Sequence, residues 1–143
     1  MDALEAALAT RGRKSNSSPL PYPVYLGGGL NMLARQKFFT GDGWRGLRWI
    51  GVFGQDTSCN PDLGYVFAGT SNDHRYFILM RSAISNPTAI QRFSKECETA
   101  TKETWNAPAD KPFDREMTSA AVDSFQPNLD QLDAVIQSLK LKP

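Results

Sequence analysis

The run Leu63-Gly64-Tyr65-Val66-Phe67-Ala68-Gly69-Thr70, then Ser71-Asn72-Asp73-His74, then Arg75-Tyr76-Phe77-Ile78-Leu79-Met80-Arg81-Ser82-Ala83, decides the fold class. Both flanks are rich in β-branched and aromatic residues, and the four residues between them favour a turn, so the stretch reads as a β-hairpin. Trp44 to Phe53 upstream has the same character and makes another strand. Met32 to Phe39 alternates polar and apolar residues, which puts Arg35 and Lys37 on one side and Ala34, Gln36 and Phe38 on the other. Thr40-Gly41-Asp42-Gly43 joins these two strands with turn chemistry, since glycine tolerates the positive φ that tight hairpins need. Gln55 to Asp62, with Asp56, Asn60 and Pro61, reads as a loop. Four strands in succession predict an antiparallel meander.

Beyond Pro87 the period changes from two to between three and four. Ile90, Phe93, Cys97, Ala100 and Thr104 predict one amphipathic helix over 88–105. Asn106 to Pro112 interrupts it with two prolines, and 114–124 reads as a further helical turn or two. In the last segment Asn128 and Gln131 form an Asn-x-x-Gln variant of the capping box, and Leu129, Leu132, Val135, Ile136 and Leu139 form an apolar stripe. That helix should pack on the sheet. The fold class expected is α+β, an antiparallel meander sheet with helices packed on it.

A chain of 143 residues, 41% hydrophobic and 22% charged, fits one domain. We place it at 20–143. Residues 1–19 read as a helix with Leu4, Ala7 and Leu8 on one face, followed by a poorly ordered, proline-flanked linker. Sixteen basic and fifteen acidic residues give a net charge of +1. Seven basic and five acidic groups fall in 1–71, nine and ten in 72–143, so neither half is the strongly basic surface that duplex binding requires. No apolar run approaches the ~20 residues of a membrane span, and no segment has the order of a signal peptide.

Catalytic constellations are tested by elimination. The single histidine, His74, falls at a hairpin tip, where a prearranged triad has no support. Glu96, Glu98, Glu103 and Glu116 are spaced among lysines and arginines as on a solvent-facing helix surface. Gly27-Gly28-Gly29 lacks the Lys-Ser/Thr of a phosphate loop, and Asn16-Ser17-Ser18 is a glycosylation sequon of a kind common by chance. Two thiols and one imidazole cannot furnish a four-ligand zinc site. The expectation is a protein that is not an enzyme and uses no cofactor. Cys59 and Cys97 are either buried free thiols or one disulfide closing a long loop.

The most suggestive cluster is the first hairpin, where Arg35, Lys37, Arg45 and Arg48 interleave with Phe38, Phe39, Trp44 and Trp49. Basic and aromatic groups on one sheet face bind single-stranded nucleic acid, or the acidic surface of another protein. The near-neutral charge and the lack of an RNP-type consensus favour a protein partner. The candidate binding residues are therefore Arg35, Lys37, Trp44, Arg45 and Arg48, and the charge count leaves the oligomeric state open.

Gly43-Trp44-Arg45-Gly46-Leu47-Arg48, Asp62-Leu63-Gly64-Tyr65-Val66-Phe67-Ala68-Gly69-Thr70-Ser71-Asn72-Asp73 and Leu129-Asp130-Gln131-Leu132-Asp133-Ala134-Val135-Ile136-Gln137-Ser138-Leu139, taken together, resemble a family of uncharacterised bacterial extracytoplasmic proteins, often lipoproteins. The resemblance covers about 19–141 and is patchy between 86 and 124. Its final helix after a meander is also similar to the PsbP/Mog1 class of αβα sandwiches, by fold analogy. His74 departs from the glycine usual in that turn, and Cys59 and Cys97 lie outside the family pattern. The resemblance implies export, hence a periplasmic or secreted setting in which Cys59 and Cys97 would be joined. It implies a non-enzymatic binding or assembly module, and carries no catalytic motif across. An inhibitor or immunity protein that blocks a partner enzyme is the alternative within binding proteins.

Overall fold

The computed structural model describes residues 30–53, 59–103 and 110–141. The expectations for 1–19, the glycine triplet and the sequon lie outside the described residues. Strands β1 (Leu30–Gly41), β2 (Trp44–Phe53), β3 (Leu63–Ser71) and β4 (Phe77–Ile84) pair antiparallel with their sequence neighbours, in the order β1-β2-β3-β4. Asp42 and Gly43 make the first turn, and Gly43 takes φ +77°, a conformation that an L side chain adopts only with strain.

Three helices follow: α1 (Pro87–Glu103), α2 (Asp110–Ser119) and α3 (Leu129–Gln137), with a short 3-10 turn at Val122–Ser124 between the last two. Asn86 starts α1 by accepting the Ala89 N–H at 3.0 Å, and Pro87 occupies the first helical position, where its missing N–H costs no bond. Asn128 starts α3 by accepting the Asp130 N–H at 2.8 Å. The α+β expectation holds. Helix α2 begins earlier than expected because Pro112 lies in its first turn, where proline needs no intrahelical donor.

The helices pack on one face of the sheet. Phe93 and Cys97 of α1, Phe113 and Met117 of α2, and Leu129, Leu132 and Ile136 of α3 join Ala34, Ile50, Tyr65 and Phe67 of the strands in one core. Val135, expected in the apolar stripe of α3, is half exposed, and Asp133 takes an inward place instead. A smaller cluster, Leu47, Trp49, Val66 and Ala68, lies on the opposite face and includes no helical residue.

Strand β1 breaks the expected alternation. Ala34 pairs with Ile50 but Lys37 pairs with Arg48, so one extra residue is inserted, and Arg35 there has φ +55°. The bulge flips the side-chain order. Lys37 and Phe39 thereby join Ala34 on the helix-bearing face, and Phe38 goes to the other.

Candidate functional site

The bulge at Arg35 is where the polar groups of the first hairpin converge. A helix leaves its last carbonyls without intrahelical donors. The Arg35 guanidinium supplies them for α2, donating from Nε to the Met117 carbonyl at 2.7 Å and from Nη2 to those of Thr118 at 3.2 Å and Ala120 at 2.6 Å. Its guanidinium also stands 5.4 Å from the centre of the Phe125 ring. Burial, and then the neighbouring Arg48 cation, hold the Arg35 pKa below that of a free guanidinium.

The Arg35 carbonyl accepts from Arg48 Nη1 at 2.6 Å. Arg48 then turns its Nε and Nη2 to Asp133 of α3, at 3.0 and 2.8 Å, in a two-point clamp with both side chains about 6% exposed. Tyr65 donates its hydroxyl to Asp133 Oδ1 at 2.8 Å, and Lys37 its ammonium to Oδ2 at 2.8 Å. Burial alone would raise the Asp133 pKa, but the hydrogen bonds from Arg48, Lys37 and Tyr65 outweigh it and hold the carboxyl below the usual range. Burial pushes the Tyr65 hydroxyl far up, and its bond to Asp133 adds to that.

Four donated hydrogen bonds saturate the two oxygens of Asp133. A carboxylate so held cannot serve as a general base, because its lone pairs already bind cations and a hydroxyl. The cluster ties α3 to β1, β2 and β3, and is a structural tie in chemical character.

The five residues expected to form an exposed binding patch are distributed otherwise. Arg48 is buried against Asp133, and Arg35 is spent on the end of α2. Trp44 is 1% exposed, donates its indole N–H to the Leu139 carbonyl at 3.0 Å, and meets Phe67 edge to face at 5.6 Å. A Cβ at Gly41 would fall 2.2 Å from the Trp44 ring, so glycine there is what lets the indole lie inward. Lys37 keeps half its side chain in water but is paired to Asp133. Arg45 points to the other sheet face, opposite Thr70. The expectation that these residues are exposed together is corrected: strand alternation and the bulge send most of them inward, because a buried carboxylate and an open helix end await them.

Sequence reasoning overlooked Asp133, although a signal was present. Positions 129, 133 and 136 follow the i, i+4, i+7 spacing of one helical face, so Asp133 is a charged residue at an inward position. Such a position calls for cationic partners on the facing strands.

Cys59 and Cys97 are joined, with Cα atoms 5.5 Å apart, fastening the segment before β3 to α1. The Ser94 hydroxyl donates to the Cys59 carbonyl beside that bond. His74 lies in the β3–β4 turn with φ +60°, its N–H donating to the Ser71 carbonyl at 3.0 Å. The Ser71 hydroxyl donates to Asp73 at 2.6 Å and accepts the Tyr76 N–H at 3.0 Å, which fixes the turn. The Ser71 bond, then the Arg75 N–H, keeps the Asp73 carboxyl below the usual range.

That turn presents Tyr76 at 57% and Phe77 at 42%, which with Val135 of α3 are the exposed large apolar side chains among the described residues. Tyr76 and Phe77 lead into β4, which has no strand on its outer side among the described residues. Towards the far end of β4, Asp62, Leu63, Gly64, Arg81, Ala83 and Ile84 line a depression of about 440 Å³. No group of three or more metal-ligating side chains and no helix long and apolar enough to cross a membrane occurs among the described residues. Comparison with protein-family models, with curated proteins and with solved structures gives no match.

Proposed function

We propose that the protein is a non-catalytic module that binds another protein outside the cytoplasm, and that it does so along β4 and the β3–β4 turn. The observation that carries this reading is the exposed pair Tyr76–Phe77, held in a turn fixed by Ser71 and Asp73 at the head of an outer strand. Aromatic side chains are energetic anchors of interfaces, and an anchor already fixed loses little freedom on binding. An outer strand adds unpaired backbone N–H and C=O groups, which an extended segment of a partner satisfies by joining the sheet. Arg81, exposed in the middle of β4, and the depression beyond it supply a polar contact and a recess along the same line.

The buried polar cluster supports the non-catalytic part of the reading, because its carboxylate has no remaining capacity for a substrate. The Cys59–Cys97 bond supports an oxidising compartment. The internal use of Arg35, Arg48 and Trp44 removes the surface on which a nucleic-acid reading stood.

A photo-crosslinking amino acid in place of Phe77, in the full chain produced in its native cell, tests the proposal. The control places the same group at Gln137, exposed on α3. A discrete protein adduct from position 77, absent at 137 and weakened by Arg81→Glu, is the expected result. No adduct at 77, or the same adducts at both positions, would overturn it.

A further inference from the structure

The two outer strands of the sheet differ at their margins. Strand β1 is interrupted by the bulge at Arg35, whose side chain closes the end of α2, and Lys37 stands close by. Bulges and lysines keep a sheet edge from pairing with other chains. Strand β4 has neither. It pairs with β3 without a break, from Leu63 opposite Ile84 to Thr70 opposite Phe77, and contains no glycine, proline or lysine.

Two sets of hydrogen bonds fix which way the β4 backbone points. At its start the Ser71 N–H donates to the Tyr76 carbonyl at 3.0 Å, so the even-numbered residues turn their N–H and C=O groups towards β3. Past its end Ser85 donates to the Gln126 carbonyl at 2.8 Å and accepts the Gln126 N–H at 2.9 Å, on the outer side. Ser85 is odd-numbered, and the unbroken register carries the same direction to Phe77, Leu79, Arg81 and Ala83. These four turn their backbone groups outward along about 20 Å of strand.

The Ser85–Gln126 bridge is antiparallel, and it begins a fifth strand position that the chain then leaves. Pro127 has no N–H to donate, and Asn128 caps α3, which packs on the helix-bearing face. In line with Gln126, beside Phe77 to Ala83, the sheet is shaped for one more antiparallel strand. Phe77, Arg81 and Ala83 are exposed and Leu79 is partly so, all on the face of Val66 and Ala68. An added strand sets its alternate side chains ~4.5–5.5 Å from theirs, Cβ to Cβ. Leu79 and Phe77 then call for apolar partners and Arg81, the single charged residue of β4, for an acid. Ala83, with Gly64 opposite, leaves room for a bulky side chain.

A second copy of β4 does not meet these needs. The overlap that matches all four outward residues sets Leu79 against Arg81, and the two arginines then stand diagonally about 7–8 Å apart on one face. Strand β4 brings no acid to separate them.

We infer that β4 accepts an extended antiparallel segment of about seven residues, hydrogen-bonded to Phe77, Leu79, Arg81 and Ala83, with an acidic residue opposite Arg81 and apolar residues opposite Leu79 and Phe77. The inference rests on the binding function proposed above, for which it names the class of segment bound.

The probe is the synthetic peptide Tyr-Thr-Glu-Thr-Val-Thr-Val, capped at both ends, titrated into the full nitrogen-15-labelled chain with Cys59–Cys97 intact. From first residue to last it lies opposite Ala83 to Phe77. The expected result is larger amide shifts at Phe77, Leu79, Arg81 and Ala83 than at Ile78, Met80 and Ser82. N-methylation of the first valine, whose N–H faces β4, should abolish binding, and N-methylation of the second threonine, whose N–H faces away, should leave it in place. Lysine in place of the glutamate should weaken binding about threefold or more, and Arg81→Glu should restore it. No β4 response at millimolar peptide, shifts without the odd–even pattern, or equal losses from the two N-methylations would overturn the inference. So would the same β4 shifts on concentrating the protein without peptide, which would seat a second copy there. A discrete Phe77 photo-adduct in cells without peptide binding would overturn strand addition alone. Peptide binding without that adduct would support strand addition and overturn only the cellular reading.

Discussion

Replacing Asp133 by Asn keeps the shape of the side chain and removes its charge. Arg48, with a side chain 6% exposed, is then left buried with a cation that no anion balances. Breaking a buried pair in this way costs about 3–5 kcal/mol, while the half-exposed Lys37 adds ~0–1 kcal/mol. For a domain of this size 1 kcal/mol moves the midpoint by roughly 3 °C, so a fall of about 9–18 °C is expected. Guanidinium unfolding of the parent, Asp133→Asn, Arg48→Met, and the double variant Arg48→Met with Asp133→Leu measures it. Removing both charges should cost less than removing either, because the penalty lies in the stranded partner. The acid limb adds an independent signature. With its folded pKa depressed, Asp133 contributes stability that is present above its unfolded pKa of ~3.9 and lost as pH falls through the folded value. Asp133→Asn should therefore flatten the loss of stability below about pH 4. A single substitution costing under ~0.5 kcal/mol, or a double variant costing the sum of the singles, would refute the reasoning.

Tyr65 has its folded pKa raised, so its contribution is present below its unfolded pKa of ~10 and lost as pH rises through the folded value. Tyr65→Phe should lower stability by about 1.5–3 kcal/mol at neutral pH and reduce the alkaline loss above about pH 10, read from thermal midpoints against pH. Ile136→Ala, at a fully buried position, should cost ~2–5 kcal/mol. Val135→Ala, half exposed one residue away, should stay within about 0.5 kcal/mol in the same denaturation assay.

The strands and the last helix were legible because their patterns are local. Leu63–Thr70 and Trp44–Phe53 are rich in aromatic and β-branched residues, and Asn128 directly before Leu129 marks a helix start. The bulge was not legible, since Arg35 holds a left-handed conformation that glycine or asparagine would have advertised. Missing that one insertion reverses the facing of every later residue in β1, and so placed Lys37 on the wrong side. The fate of Arg48 and Trp44 depended on what lay across from them. Asp133 is 85 positions further along the chain from Arg48, and the Leu139 carbonyl 95 from Trp44, separations at which periodicity carries no information. The β4 margin escaped notice because Tyr76 and Phe77 look like core strand residues, although a four-strand meander already makes β4 an outer strand.

The cations of the first hairpin hold the fold together from within. Hydrogen exchange of arginine Nε–H groups, followed by nitrogen-15 NMR on the full chain at neutral pH, tests this most directly. Slow exchange is expected for Arg48 and Arg35, fast exchange for Arg75, whose side chain is 79% exposed, and loss of the Arg48 protection in Asp133→Asn. An Arg48 Nε–H that exchanges as fast as that of Arg75 would contradict it.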